Sequence, residues 1–161
     1  MSKKKKPKKK KLNRQKNLPS YDPKIVDKVK RNPLFSDKKI EVFEDPTIKM
    51  SEIILEFAKP LMEKCHTDEQ SKKSIALSIM VWNICLLPKG KQIKEKKRIL
   101  NVLSKNDLEF KNFFDDVISF MMQRKEKYFS EYRRFIADYM ITDRNNKLHL
   151  SVAFSPSNID L

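Results

Sequence analysis

Cys65, His66, Cys85 and His149 are the thiols and imidazoles of this chain, and so its candidate metal ligands. Cys65 and Cys85 fall at the far ends of two successive helical segments. In an antiparallel pair at ~1.5 Å per residue they stand ~25 Å apart. That separation forbids a shared zinc and an internal disulfide. The other combination, Cys65 with His66 and His149, ranks far below a metal-free reading, so neither metal nor cofactor is expected. Acid–base pairs fare no better. Asp115 and Asp116 are neighbours, which on a helix point ~100° apart. Glu52 and Glu56 share a helix face at i, i+4, a spacing commonplace among exposed glutamates. Gly90 is the single glycine, and backbone loops that cradle phosphate need several. A Walker loop, a dinucleotide fingerprint and a serine-nucleophile elbow are thereby excluded, and a non-enzymatic protein is expected.

The cations carry the strongest signal. Lys3, Lys4, Lys5, Lys6, Lys8, Lys9, Lys10, Lys11, Arg14 and Lys16 place ten of the 36 Lys and Arg residues within the first seventeen positions, with no acid among them. The remaining 26 face 21 acids, a net of +5 out of the total +15. Most of the charge therefore belongs to a tail and not to the fold. Lysine is a mobile point charge suited to phosphate and poor at the bidentate reading of bases that favours arginine. The tail is expected to bind a polyanion electrostatically, with little sequence preference and strong dependence on salt. A solubilising tail, a nuclear localisation signal and an anionic membrane surface are its rival readings; the last ranks lower because no apolar anchor accompanies the lysines.

Lys89, Lys91, Lys94, Lys96, Lys97 and Arg98 form a second cluster, opposed only by Glu95. Its plainer reading, a solvated helix face, ranks first. Its functional reading is a folded platform, with Lys94, Lys97 and Arg98 as phosphate contacts. Arg124, Lys125, Lys127, Arg133 and Arg134 lie among Tyr128, Phe129 and Tyr132. Aromatics beside cations can stack single-stranded bases, but packing of a helix-to-hairpin junction is the preferred reading.

These residues need elements to hold them. Residues 1–19 are expected to be disordered when free. Asp22-Pro23 opens a short helix over 24–31, and residues 39–44 alternate as a short strand. Asp45-Pro46 opens a helix to about Lys64 that contains Pro60. Thr67 and Gln70 form a capping box for a central helix ending at Leu87, buried through Ile75, Ala76, Ile79, Met80, Trp82, Cys85 and Leu86. A loop and a helix to Leu103 follow, inward-facing through Ile93, Ile99, Leu100 and Leu103. Asn106 and Glu109 cap the longest helix, to about Tyr128, buried through Leu108, Phe110, Phe113, Phe114, Val117, Phe120 and Met121. The period then drops to two. Phe135, Ala137, Tyr139 and Ile141 share one face, the Asp143–Asn146 cluster turns the chain, and Leu148, Leu150, Val152 and Phe154 return. This predicts a hairpin over about 133–154, with His149 exposed.

The fold class is thus α+β and mostly α: four or five helices closed by a C-terminal hairpin over residues 20–161. The expected function is nucleic-acid association, with RNA favoured over DNA, alone or within a ribonucleoprotein. An adaptor or inhibitor, or a homodimer formed through the hairpin edges, is the alternative. No run approaches the ~20 apolar residues of a membrane span. Two cysteines point to an intracellular chain, in the cytoplasm or, in a eukaryotic host, the nucleus.

Overall fold

A computed structural model describes residues 21–37, 39–40, 49–105, 107–145 and 147–155. The chain is α+β and mostly helical, in the order α1 (Lys24–Arg31), α2 (Met50–Met62), α3 (Asp68–Leu86), α4 (Lys89–Ser104), α5 (Leu108–Tyr128), β1 (Phe135–Arg144) and β2 (Lys147–Ser155). The basic tail, most of the strand expected over 39–44 and the Asp45-Pro46 signal lie outside the described residues, but Lys49 is extended, so the helix expected from Pro46 begins only at Met50.

Side-chain caps mark the starts of α3 and α5, and the helix starts correct three further expectations. The Thr67 hydroxyl accepts from the Gln70 amide at 3.2 Å, as the capping box requires, but the Gln70 side chain accepts from His66 N at 2.7 Å and not from the cap residue itself. No loop precedes α4. Pro88 is its N-cap and Lys89 its first residue, because proline fixes the backbone there without needing its missing amide. Asp107, not Asn106, caps α5, its carboxylate accepting from the amides of Glu109 and Phe110 at 2.9 and 3.2 Å.

α3 is the central element: it packs on α2, α4, α5 and β1. Ile75, Ser78, Val81 and Trp82 are wholly buried along it. The Trp82 ring meets Phe57 of α2 edge-on at 5.3 Å and Phe129, just past α5, at 6.1 Å. Edge-to-face pairs of this kind add ~0.5–1.5 kcal/mol beyond the area they bury. The indole N–H donates to Arg134 O at 2.9 Å, so the ring's one polar group is satisfied inside the core.

Next along α3, Asn83 holds the start of the hairpin. Its amide nitrogen donates to Ile136 O and its oxygen accepts from Ile136 N, both at 2.9 Å. The side chain thus takes the place of a neighbouring strand on that edge. The ladder slips by one residue between Ile136 and Asp138, and this bulge decides which residues face the core. Ile136 joins Tyr139 and Ile141 there, opposite Phe154, Val152 and Leu150. The alternation expected from Phe135 and Ala137 therefore fails, since a bulge reverses the parity of everything before it. The opposite face receives α1, where Asp22 N donates to the buried Ser151 hydroxyl at 2.7 Å and Lys28 pairs with Asp138 at 2.6 Å. His149 lies on this second face and is half-buried, not exposed.

Helix α5 departs furthest from its expected burial. Leu108, Phe110, Phe113 and Phe120 are 72, 59, 60 and 51% exposed, and the core contacts come from Phe114, Ile118, Met121 and Met122. Its apolar residues spread over a wider arc than α3 and α4 together can cover, so one edge remains in solvent. Ile93 is likewise exposed, since the core seam of α4 begins only at Ile99. Met80 is the exposed member of the α3 set, and Val81 and Ile84 are buried in addition.

Candidate polyanion interface

Among the described residues, cations gather on the outer face of α4. Lys91, Lys94, Lys97, Arg98 and Lys105 are all exposed. Lys91, Lys94, Arg98 and Lys105 succeed one another at intervals of three, four and seven, which keeps them on one face of a 3.6-residue helix over ~21 Å. Lys105 follows the last turn in a left-handed conformation, φ 48°. The first turn of α4 carries no acid, and its N-cap makes no side-chain bond. A helix N-terminus is the positive end of the dipole, and here Lys89 and Lys91 add to it.

The cluster read from sequence divides once it is placed in the fold. Lys96 turns inward, with its ammonium at 2.8 Å from both the Asp115 carboxylate and the Ser119 hydroxyl, tying α4 to α5. Arg98 stays outside but shares its charge with Glu95 at 2.7 Å. Lys94 and Lys97 project into solvent. The ten tail cations from Lys3 to Lys16 lie outside the described residues.

Around Tyr128 and Phe129 the cations serve packing. Arg124 donates to the carbonyls of Glu56 and Phe57 at 3.0 and 3.3 Å. Lys125 is buried, with its ammonium 4.2 Å from the Trp82 ring centroid and donating to Phe129 O and Tyr132 O at 2.7 and 2.9 Å. These bonds close the chain reversal from α5 into β1. Desolvation holds the Lys125 amine below the usual lysine range. Burial also pushes the Cys85 thiol up to about 11, partly offset by the positive charge of Lys125.

Asn83, Gln92 and Lys125 do structural work that sequence reasoning missed. Gln92 donates to Leu87 O and Cys85 O at 2.7 and 3.3 Å, satisfying carbonyls left open at the end of α3. The available signal was a polar residue within an apolar run, as at Asn83, since a buried amide needs partners. No cluster of three or more His, Cys, Asp or Glu side chains suited to a metal occurs among the described residues. None of their helices is long and apolar enough to cross a membrane. Comparison with known proteins finds no matching family model, no matching curated protein and no matching solved structure.

Proposed function

We propose that this chain is a non-enzymatic nucleic-acid-associated protein that grips phosphates through its lysine tail, with the outer face of α4 as a second contact. One observation carries the reading: ten cations and no acid in the first seventeen residues. The stripe from Lys91 to Lys105 supports it by offering charge at helical spacing on the folded part. The scarcity of arginine in the tail suits a shape-tolerant grip on structured RNA more than base readout in a DNA groove. The compartment follows the partner: cytoplasm, or nucleus in a eukaryotic host.

Fluorescence anisotropy across a salt series tests this, comparing the full chain with a chain starting at Ser20 on a structured RNA and a matched duplex DNA. Log affinity is expected to fall with log salt at about −0.9 per duplex phosphate neutralised, and truncation to flatten that slope by several units. Reversing Lys94, Lys97 and Arg98 to Glu in the full chain should weaken binding further and uniformly across sequences. Unchanged low-salt affinity after truncation would refute the tail mechanism. The alternative, a module that takes a partner strand at the hairpin edge, is less well supported on the β1 side. Asn83 already occupies the backbone of Ile136 on β1, and the Lys28 ammonium donates to Tyr139 O at 2.8 Å.

A further inference from the structure

Phe110, Phe113 and Phe120 leave a stripe of aromatic surface on α5 that the polyanion reading does not use. Their exposure, 59, 60 and 51%, leaves ~350 Å² of ring in solvent, taking ~200 Å² for each whole side chain. The half-buried Val117 joins them on the same line. The flanks of the stripe are charged and polarised along the helix. Glu109 and Asp116 lie toward the N-terminal end and Lys127 toward the C-terminal end, where Arg124 is already held by Glu56 and Phe57 of α2. Glu109 and Lys127 are both exposed and eighteen positions apart, five whole turns at 3.6 residues per turn. They therefore sit on one edge of the stripe, ~27 Å apart. Nucleic acid is a poor occupant, because the acidic half repels phosphate.

We propose that this face docks on the same face of a second copy of the chain, with the two α5 helices antiparallel. A two-fold axis between Val117 and Phe120 places Phe120 of each copy against Val117 of the other. The same operation brings Glu109 next to Lys127 of the second copy, twice over, so two exposed pairs of opposite charge close one rim of the interface. The shallow hollow of 280 Å³ lined by Glu109, Phe110 and Phe113 then faces Tyr128, which is 59% exposed. Two such stripes amount to ~700 Å² of aromatic surface, below the ~1,200 Å² of a standard specific interface, so the dimer is expected to be weak and to depend on concentration. The inference is independent of the polyanion reading, although a dimer presents two tails to one ligand and so raises avidity.

Sedimentation velocity of the nucleic-acid-free full chain over a wide concentration range tests it. The wild type should pass from monomer to dimer. Phe113→Glu should stay monomeric throughout, with its circular dichroism and melting unchanged. Glu109→Lys and Lys127→Glu should each weaken the dimer by roughly tenfold, as expected for two exposed pairs turned repulsive. The double variant E109K/K127E should restore it, because the swap rebuilds both pairs. Three results would overturn the proposal: a wild type monomeric at every concentration, a dimer that survives F113E, or single charge variants that the double does not rescue.

Discussion

The two ends of α5 invert the usual relation between residue type and burial. Phe110 and Phe113 in the first half of the helix and Phe120 just past its midpoint are more than half exposed, whereas near its end Lys125 is 4% exposed beneath Trp82. Nothing in the intrinsic chemistry of Phe or Lys predicts this. What differs is the surroundings. The C-terminal end runs into α2, α3 and the chain reversal, where Phe129 and Tyr132 present carbonyls that require donors. The N-terminal half has α4 and α3 beside it and open solvent on its third side. Burial here follows the supply of neighbours, and lysine is tolerated inside because two acceptors and an aromatic face receive its charge.

The largest expected effect comes from removing the ring that shelters the lysine. Trp82→Ala should destabilise the fold by about 3–5 kcal/mol in urea unfolding, since it empties the core and leaves Arg134 O without its donor. Lys125→Ala ranks next at about 2–4 kcal/mol, combining lost packing with the loss of the Tyr132 carbonyl's donor, whereas Phe129 O keeps the Tyr132 amide at 3.1 Å. Lys125→Met retains most of the volume and should recover part of that loss. A Met variant at least as stable as the wild type would show that the two hydrogen bonds give the buried amine no net advantage over an apolar side chain of similar volume. Asn83→Ala should cost about 1–3 kcal/mol by leaving the Ile136 amide and carbonyl unsatisfied, read as loss of hydrogen-exchange protection concentrated in the hairpin.

The pH dependence sharpens the same contrast, because Cys85 and Lys125 pull in opposite directions. The folded Cys85 thiol titrates at about 11 against an ordinary 9.0. Its contribution to stability is therefore complete below pH 9.0 and lost as pH rises toward 11. Lys125 is shifted down from 10.5. Over its window the unfolded chain binds more protons, so stability rises with pH. Cys85→Ala should unmask that rise in alkaline unfolding curves, and a curve unchanged by the substitution would contradict the assignment. In the native protein, alkylation of Cys85 near neutral pH should be about a hundredfold slower than in the unfolded chain, from two units of lowered thiolate population. At the other end of α5, Phe113→Ser should change stability by less than about 0.5 kcal/mol, the smallest effect of the set.

Much of the fold is legible because it rests on local chemistry. The Asp22-Pro23 start, the Thr67 cap, the stop at Pro88 and the change from helical to twofold period near Phe135 are each written within a few residues. α1, α3 and the hairpin follow from them, whereas the starts of α2 at Met50 and of α5 after Asp107 do not. The α4 cations were legible as a cluster, but sequence could not separate Lys96, which turns toward Asp115, from Lys94 and Lys97, which do not. That distinction needs the partner helix in place.

By itself, then, the sequence determined the order of elements, the identity of α3 as the central helix and the concentration of charge in the tail. Each depends on spacing and composition alone. Tertiary structure decided which side of α5 enters the core, how the bulge beside Asn83 sets the parity of β1, and why a lysine lies under Trp82. The physical reason is the same in all three. A wide apolar arc, a strand register and a buried ammonium each have more than one locally acceptable solution, and only the groups supplied by distant parts of the chain select among them.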